Sequence, residues 1–500
     1  MKKKLSNLSL LLPFVLSGCS ASLNDDEVRF SKESLVQSSF GGLGVEWGAY
    51  EDTEKIMEGG WERILKNMDH LHASRIRLMI NYDWFCYNYD SKGTLDKNDD
   101  TWSYNFVNKY ALNTCDILEY CQVNHIDVAF GAWNVIGDLS GGDIWGMMDE
   151  VTSDIRWAKI SADILSYLIK DRGFTCIKWF VNSNEPNYRG TQGGSKNWNN
   201  TYQIWEQGVK NVRKAFDDAG LGEVGIVGGD TTGFEGCEEY LLNIASNIKD
   251  LVADYGAHLY LSNILVDRGE AQERIRELYD EIKKRDPELG SKRMANVWEA
   301  GLRDGKTALD CQSLIATPSY AVRMVDYTIQ CLASGINGIC YWNFDDAMNF
   351  MYTNAGTTAK EWGMFSSLAD AGSGKQELRP WYHTSSLLCH LFQKGDRIIA
   401  PKEKEESKTF RSLAMLSKDG EEAGFVAVNA GTESIHKTFT IPEMKDGQRL
   451  YVYYFNADSY LLDGDGYLIP NQILSGNLSG GVSIEIEKST AVFVSNRRLS

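Results

Sequence analysis

Positive charge is in short supply in this chain. Its 51 Lys and Arg face 69 Asp and Glu, a net charge of −18 over 500 residues. That balance argues against nucleic acids and acidic polysaccharides as partners. Paired cysteines are lacking as well: there is no CxxC and no metal-ligand spacing. Nine of the ten cysteines are scattered along the chain, often in apolar surroundings (Cys331, Cys340, Cys389). Such a set reads as mostly buried thiols with one or two disulfides at most, Cys115 and Cys121 being candidate neighbours. The apolar run at residues 8–16 is too short to span a bilayer. No glycine-rich phosphate loop follows the first strand-like run, which weighs against a nucleotide-binding doubly wound sheet. Internal repeats and low-complexity linkers are also lacking, so the parts of the chain are expected to pack firmly together.

Five hundred residues exceed what one hydrophobic core usually organises, so two domains are expected. An apolar fraction of 43% and a charged fraction of 24% are ordinary for a globular chain. Aromatics are plentiful, with 14 Trp and 24 Tyr. Most of them belong in a core, and the rest offer flat faces for stacking.

The N-terminus reads as a targeting segment. Lys2, Lys3 and Lys4 precede the apolar run, and Leu16-Ser17-Gly18-Cys19 resembles a bacterial lipobox. The resemblance implies cleavage before Cys19 and lipidation of its thiol. Asp25-Asp26-Glu27 resembles the surface-export signals of Bacteroidetes lipoproteins. The expected location is therefore the outer membrane or cell surface, through a lipid anchor at Cys19. Residues 1–18 would be a signal peptide, and 19–39 a tether with an N-terminal strand. Losing residues 1–18 removes three lysines and no acids, which takes the net charge to −21.

Between about residues 40 and 345, short apolar runs alternate with helical patterns. The strand candidates are 42–47, 75–80, 127–133, 176–181, 224–229, 255–260, 295–299 and 336–342. They lack strict alternation, as strands buried on both faces should. The helical stripes include Trp61, Ile64, Leu65, Met68 and Leu71, and later Trp205, Val209, Val212 and Phe216. The last helix before 345 is punctuated by Thr317 as cap, Pro318 at its first position and Gly335 past its end. Eight strands alternating with helices make an α/β chain, a (β/α)8 TIM barrel spanning 40–380. After Arg379-Pro380-Trp381 the pattern turns β-like, with runs 425–428, 450–455, 482–486 and 491–494. Residues 381–500 are therefore expected to form an antiparallel β-sandwich. The run 28–40 would either join that sandwich or close the barrel floor.

Functional side chains of such barrels sit at the C-terminal ends of the strands. Two glutamates have that setting: Glu185 in Ser183-Asn184-Glu185-Pro186-Asn187 after strand four, and Glu299 in Ala295-Asn296-Val297-Trp298-Glu299 at the end of strand seven. Facing carboxyls are the minimum equipment for acid/base cleavage of a glycosidic bond. The order and spacing resemble clan A of the glycoside hydrolases, in particular families 5, 30 and 39. A C-terminal β-sandwich leans toward 30 and 39.

The resemblance implies a retaining enzyme in which Glu299 is the nucleophile and Glu185, kept protonated, is the acid/base. Asn184 would hydrogen-bond the sugar 2-hydroxyl. Arg77 matches the clan's strand-two arginine, which would hold the nucleophile ionised. His258 and Tyr260 on strand six would contact or orient Glu299. Trp342 would form the floor under the reacting sugar. Trp133 and Asn134 on strand three would line the cleft, and Glu46 and Trp47 on strand one would bind a sugar hydroxyl, with Asn343 and Asp345 as further candidates. The glycine-bearing loop 188–198 would rim it.

No metal or organic cofactor is needed for this chemistry. The acidic charge suits a neutral glycan, with a β-glucan cut by endo action as the expectation. The alternatives are a glycan-binding surface lipoprotein without turnover, and a transglycosylase using the same intermediate.

Overall fold

A computed structural model describes residues 26–48, 60–87, 102–134, 153–187, 198–308, 311–346, 361–366, 378–402, 408–444 and 447–500. All eight expected barrel strands are present: β1 (Gly42–Glu46), β2 (Arg75–Asn81), β3 (Asp127–Asn134), β4 (Ile177–Val181), β5 in two pieces (Gly225–Ile226 and Gly229–Thr232), β6 (Asp254–Leu261), β7 (Met294–Leu302) and β8 (Gly338–Tyr341). Every neighbouring pair is parallel. The first piece of β5 pairs with β4 and the second with β6, so the sheet closes on itself.

The helices are α1 (Gly60–Leu71), α2 (Lys109–Val123), α3 (Ile155–Ser166), α4 (Trp198–Asp218), α5 (Phe234–Asn247), α6 (Glu270–Arg285), α7 (Pro318–Ala333) and α8 (Pro380–Leu391). Their stripes bury as the periodicity predicts: Ile64, Met68 and Leu71 on α1, and Trp205, Val209, Val212 and Phe216 on α4. Thr317 caps α7 by accepting a hydrogen bond from the Tyr320 amide, with Pro318 in the first turn. Gly335 follows at φ 101°, a conformation glycine adopts without steric cost. Buried residues of α1 to α8 share one hydrophobic core with the barrel strands.

The barrel interior is tightly filled. Arg75 is fully buried and lies between the rings of Trp179 and Trp298, at 5.3 and 5.2 Å from their centroids. Its guanidinium donates to Asn296 Oδ1 and to the Gly41 carbonyl. Gly338 makes room for it, because a Cβ there would meet Arg75 Nη1 at 1.8 Å. Met79, Ala129, Val181, Val227 and Cys340 pack with Trp298 as a small separate core.

The antiparallel strands of the second lobe begin at Arg397. They are β9 (Arg397–Pro401), β10 (Phe410–Leu416), β11 (Ala423–Asn429), β12 (Ile435–Thr440), β13 (Gln448–Phe455), β14 (Gln472–Gly476), β15 (Val482–Ile486) and β16 (Thr490–Ser495). In β15 burial alternates residue by residue, so one face is covered and the other solvated. The N-terminal strand Asp26–Gln37 joins this lobe. It runs parallel to β12 at its start and antiparallel to β9 further along, bridging the two halves of the sandwich.

The lobes are pinned together by buried charge and apolar packing. Arg411 on β10 makes a two-pronged bond to Asp326 on α7. Leu413, Val426 and Phe493 belong to the same core as the barrel's helices.

The cysteines are mostly buried thiols, as expected, and no disulfide is found among the described residues: Cys86, Cys115, Cys121, Cys176, Cys237, Cys331, Cys340 and Cys389 are buried and free, and Cys311 is free and half-buried. Cys115 and Cys121 sit six residues apart on α2, which puts them on different sides of the helix.

Candidate active site

Six strands, or the residues directly after them, deliver charged or aromatic side chains to one place. Two irregularities in the sheet aim them. Ala257 pairs with Val297 but His258 pairs with Glu299, so one extra residue, Trp298, is taken up in β7 and Glu299 comes level with His258. On the other side of β6, Gly256 pairs with Gly229 and Ala257 with Thr231, which leaves Asp230 as the extra residue. Such bulges redirect a side chain at the cost of one ladder position. Asp230 has φ 53°, and Glu185 after β4 has φ 45°. Left-handed backbone at a non-glycine residue costs on the order of 1–3 kcal/mol and persists where the surroundings enforce it. Here the Glu185 amide donates to the Asp230 carbonyl at 3.1 Å, which ties the two strained residues together.

Arg77 on β2 is the hub. Its Nη1 donates to Glu46 Oε2 at 3.0 Å and to Glu299 Oε1 at 2.9 Å. Its Nη2 donates to Asn184 Oδ1 at 2.8 Å and to Asp230 Oδ2 at 2.7 Å. His258 is fully buried, with Nδ1 2.9 Å from Glu185 Oε1 and Nε2 2.9 Å from Asp230 Oδ1. Its Nδ1 also lies 3.4 Å from Glu299 Oε2. Tyr260 donates its hydroxyl proton to Glu299 Oε2 at 2.7 Å.

Burial and charge set the protonation states. Burial pushes Glu46 up to about 8, although Arg77 works against it. For His258, burial opposes the cation, but Asp230 and Glu299 prevail and lift the imidazole to about 10. Asp230 is buried too, yet Arg77 and His258 hold it below the usual carboxylate range. Burial raises Glu299, with His258 and Arg77 pulling the other way. The charge of Glu185 adds to the rise.

Glu185 is lower than its ordinary value. Burial would raise it, but the hydrogen bond and charge of His258 outweigh burial. An acid kept protonated by its surroundings was the expectation for Glu185. The cation beside it is the reason the resting group stands lower.

The structure thus brings together Glu185, Glu299, Arg77, Asn184, His258, Tyr260 and Glu46. Trp342 follows β8 and is 8% exposed. Trp47 is buried against Trp61, Tyr120 and Phe344, and packs rather than facing an opening. The backbones of Trp133 and Asn134 end β3, but their side chains lie outside the described residues, as do positions 188–197 of the loop after β4. Asn343 and Asp345 are buried.

Asp230 is the site residue the sequence reading missed. Its signal was Gly228-Gly229-Asp230 directly after an apolar run, since glycines inside a strand often mark a bulge.

Donor atoms of Glu185, His258 and Glu299 all lie within 4.8 Å of one another. By spacing alone they resemble a cation-binding trio. Both ring nitrogens of His258 already face carboxylates, Glu185 and Asp230, and Glu299 already accepts from Arg77, so the trio is part of a wider hydrogen-bond network. The carboxyl spacing matters more. Retaining glycosidases hold their pair ~5–5.5 Å apart and inverting enzymes ~6.5–9.5 Å apart.

Solved structures share this architecture. A GH30 endoxylanase from Clostridium papyrosolvens C71 superposes with a TM-score of 0.60 at 13% identity, covering 94% of this chain and 100% of its own. An endo-β1,6-glucanase gives 0.61 at 13% identity, with 96% of each chain covered. A monomeric β-xylosidase from Caulobacter crescentus CB15 gives 0.58 at 12% identity, covering 95% of this chain and 100% of its own. The fold is therefore one that glycoside hydrolases use, and at these identities the likeness is one of fold. No protein-family model and no curated protein matches the chain.

Proposed function

We propose that this chain is a retaining glycoside hydrolase that cleaves β-glycosidic bonds of a neutral glycan by double displacement. The observation that carries the reading is the Glu185–Glu299 pair, with one carboxylate oxygen of each within 4.8 Å of the other and the pair in contact with Arg77, His258 and Tyr260.

In the first step Glu299 attacks the anomeric carbon. The carbon–oxygen bond to the leaving group breaks, and the leaving oxygen takes a proton from Glu185. In the second step Glu185 removes a proton from water, the water oxygen bonds to the anomeric carbon, and Glu299 leaves as a carboxylate. Arg77 and Tyr260 orient Glu299 and support its charge. Asn184 gives its carbonyl oxygen to Arg77, which leaves its amide NH2 as the end for a sugar hydroxyl.

The net charge of −18, or −21 without residues 1–18, favours an uncharged polymer. A β-glucan cut internally is the substrate class we favour, in keeping with the endo-acting enzymes among the fold neighbours. The test is a panel of neutral and acidic polysaccharides incubated with the full chain, Glu185→Gln and Glu299→Gln, with products resolved by size. Oligosaccharides from one neutral β-glycan, absent with both variants, support the reading. Binding without turnover, unchanged in both variants, refutes it.

The lipobox-like Leu16-Ser17-Gly18-Cys19 supports a lipid anchor and display at the bacterial outer membrane or cell surface. Cys19→Ser should move the protein from the membrane to the soluble fraction. A variant that stays membrane-bound refutes the anchor.

A further inference from the structure

We infer that the proton Glu185 gives to the leaving oxygen is stored on His258 between turnovers, and that Asp230 is the positioning residue that keeps it there. This rests on the roles proposed above for Glu185 and Glu299.

The geometry supplies a three-membered line. Asp230 Oδ1, the buried imidazole of His258 and Glu185 Oε1 are joined by two contacts of 2.9 Å each. Asp230 is itself buried and anchored by Arg77 at 2.7 Å, and its carbonyl holds the Glu185 amide. One residue therefore fixes both the charge beside His258 and the backbone that presents Glu185.

Other groups face the ring as well. Glu299 on β7 lies 3.4 Å from Nδ1. Arg77 on β2 spends its bonds on Asp230, Glu299, Asn184 and Glu46. Glu46 on β1 accepts from that guanidinium, and Tyr260 on the same strand as His258 donates to Glu299.

The resting state and the reactive state contain the same number of protons. At rest Nδ1–H of His258 donates to the Glu185 carboxylate. Transfer breaks that N–H bond and forms an O–H bond on Glu185, while Nε2–H stays on Asp230 and the net charge of the cluster is unchanged. This reconciles a low resting Glu185 with its work as an acid.

It also times the transfer. The anion on Glu299 helps hold the proton on His258, and that anion disappears as Glu299 bonds to the anomeric carbon. The imidazole then releases its proton as the leaving oxygen needs one. When water frees Glu299, Glu185 has taken a proton from that water, the anion is restored, and the proton returns to His258.

The experiment has two arms on the full chain. In the first, the ring nitrogens of ¹⁵N-histidine-labelled protein are followed by NMR, with His258 assigned by its loss in His258→Asn. Both nitrogens should be protonated at pH 8. An imidazole with a single proton at pH 7 overturns the inference. In the second, kcat/KM is measured against pH. Asp230→Asn should bring the alkaline limb down by at least one pH unit, and Asp230→Glu should restore it in part. A uniform loss with the limb unmoved would show a merely structural role and overturn the inference. Lack of hydrolysis with His258 cationic would sink the proposed function and with it the use of the proton. A neutral His258 in an active enzyme would sink the proton store alone.

Discussion

Replacing Tyr260 with Phe removes a single oxygen from the site. That oxygen is the donor to Glu299 Oε2 at 2.7 Å. The ring keeps its edge-on contact with Trp362 at 5.7 Å, so packing is preserved. A hydrogen bond to a charged group contributes ~1.5–3 kcal/mol. One pKa unit corresponds to about 1.4 kcal/mol. Burial already raises Glu299, and Tyr260 is among the groups that restrain the rise. Without it the carboxyl climbs further. The acidic limb of kcat/KM in the free enzyme should therefore move to higher pH by about 1–2 units, as an apparent value of the coupled pair. Tyr260 itself stays protonated throughout, because burial and the neighbouring Glu299 hold its hydroxyl well above the ordinary phenol value. The assay is initial rate at low substrate from pH 4 to 9. A limb that stays put, or moves to lower pH, would refute this account of how Glu299 is kept ionised.

Two further outcomes concern stability. Arg411→Met leaves the buried Asp326 carboxylate without its cation at the seam between the lobes, and should cost ~3–5 kcal/mol in urea unfolding. Adding Asp326→Leu to that variant should recover most of the loss, and failure to recover would show that the pair does more than neutralise itself. Near the same seam, burial lowers His70 and His383 to about 4 and His390 to about 3. The unfolded chain then binds more protons below about pH 6.5, so stability is lost as pH falls from 6.5 toward 4. His383, only 3% exposed, should contribute up to about 1.4 kcal/mol per pH unit, with His70 and His390 adding less. Unfolding midpoints that do not change between pH 7 and 5 would contradict this.

Much of the architecture could be read from the chain because a parallel barrel writes itself locally. Each strand is buried on both faces, so it is a short apolar run, and a polar residue inside such a run has to have a partner. Arg77, His258, Tyr260 and Glu299 were conspicuous for that reason. Asp230 was not, since its glycine-flanked bulge looks like the polar turn that would follow a strand ending at 229. The N-terminal strand was also ambiguous. Its partners, Arg397–Pro401 and Ile435–Thr440, lie more than 360 residues away, and no local pattern encodes pairing at that distance. Trp47 carried the opposite lesson: a tryptophan one residue past β1 packs just as well between α1 and Phe344 as it would against a sugar.

The division of labour between the two glutamates is tested most directly by chemical rescue. Glu185→Ala and Glu299→Ala would each be given an activated aryl β-glycoside of the responsive sugar in the presence of azide, and the products read by ¹H NMR. With the carboxylate of Glu299 removed, azide should attack from its side and give the α-glycosyl azide. With Glu185 removed, azide should intercept the glycosyl-enzyme and give the β-glycosyl azide. A β-azide from Glu299→Ala, or no azide product from either variant, would contradict the double-displacement assignment.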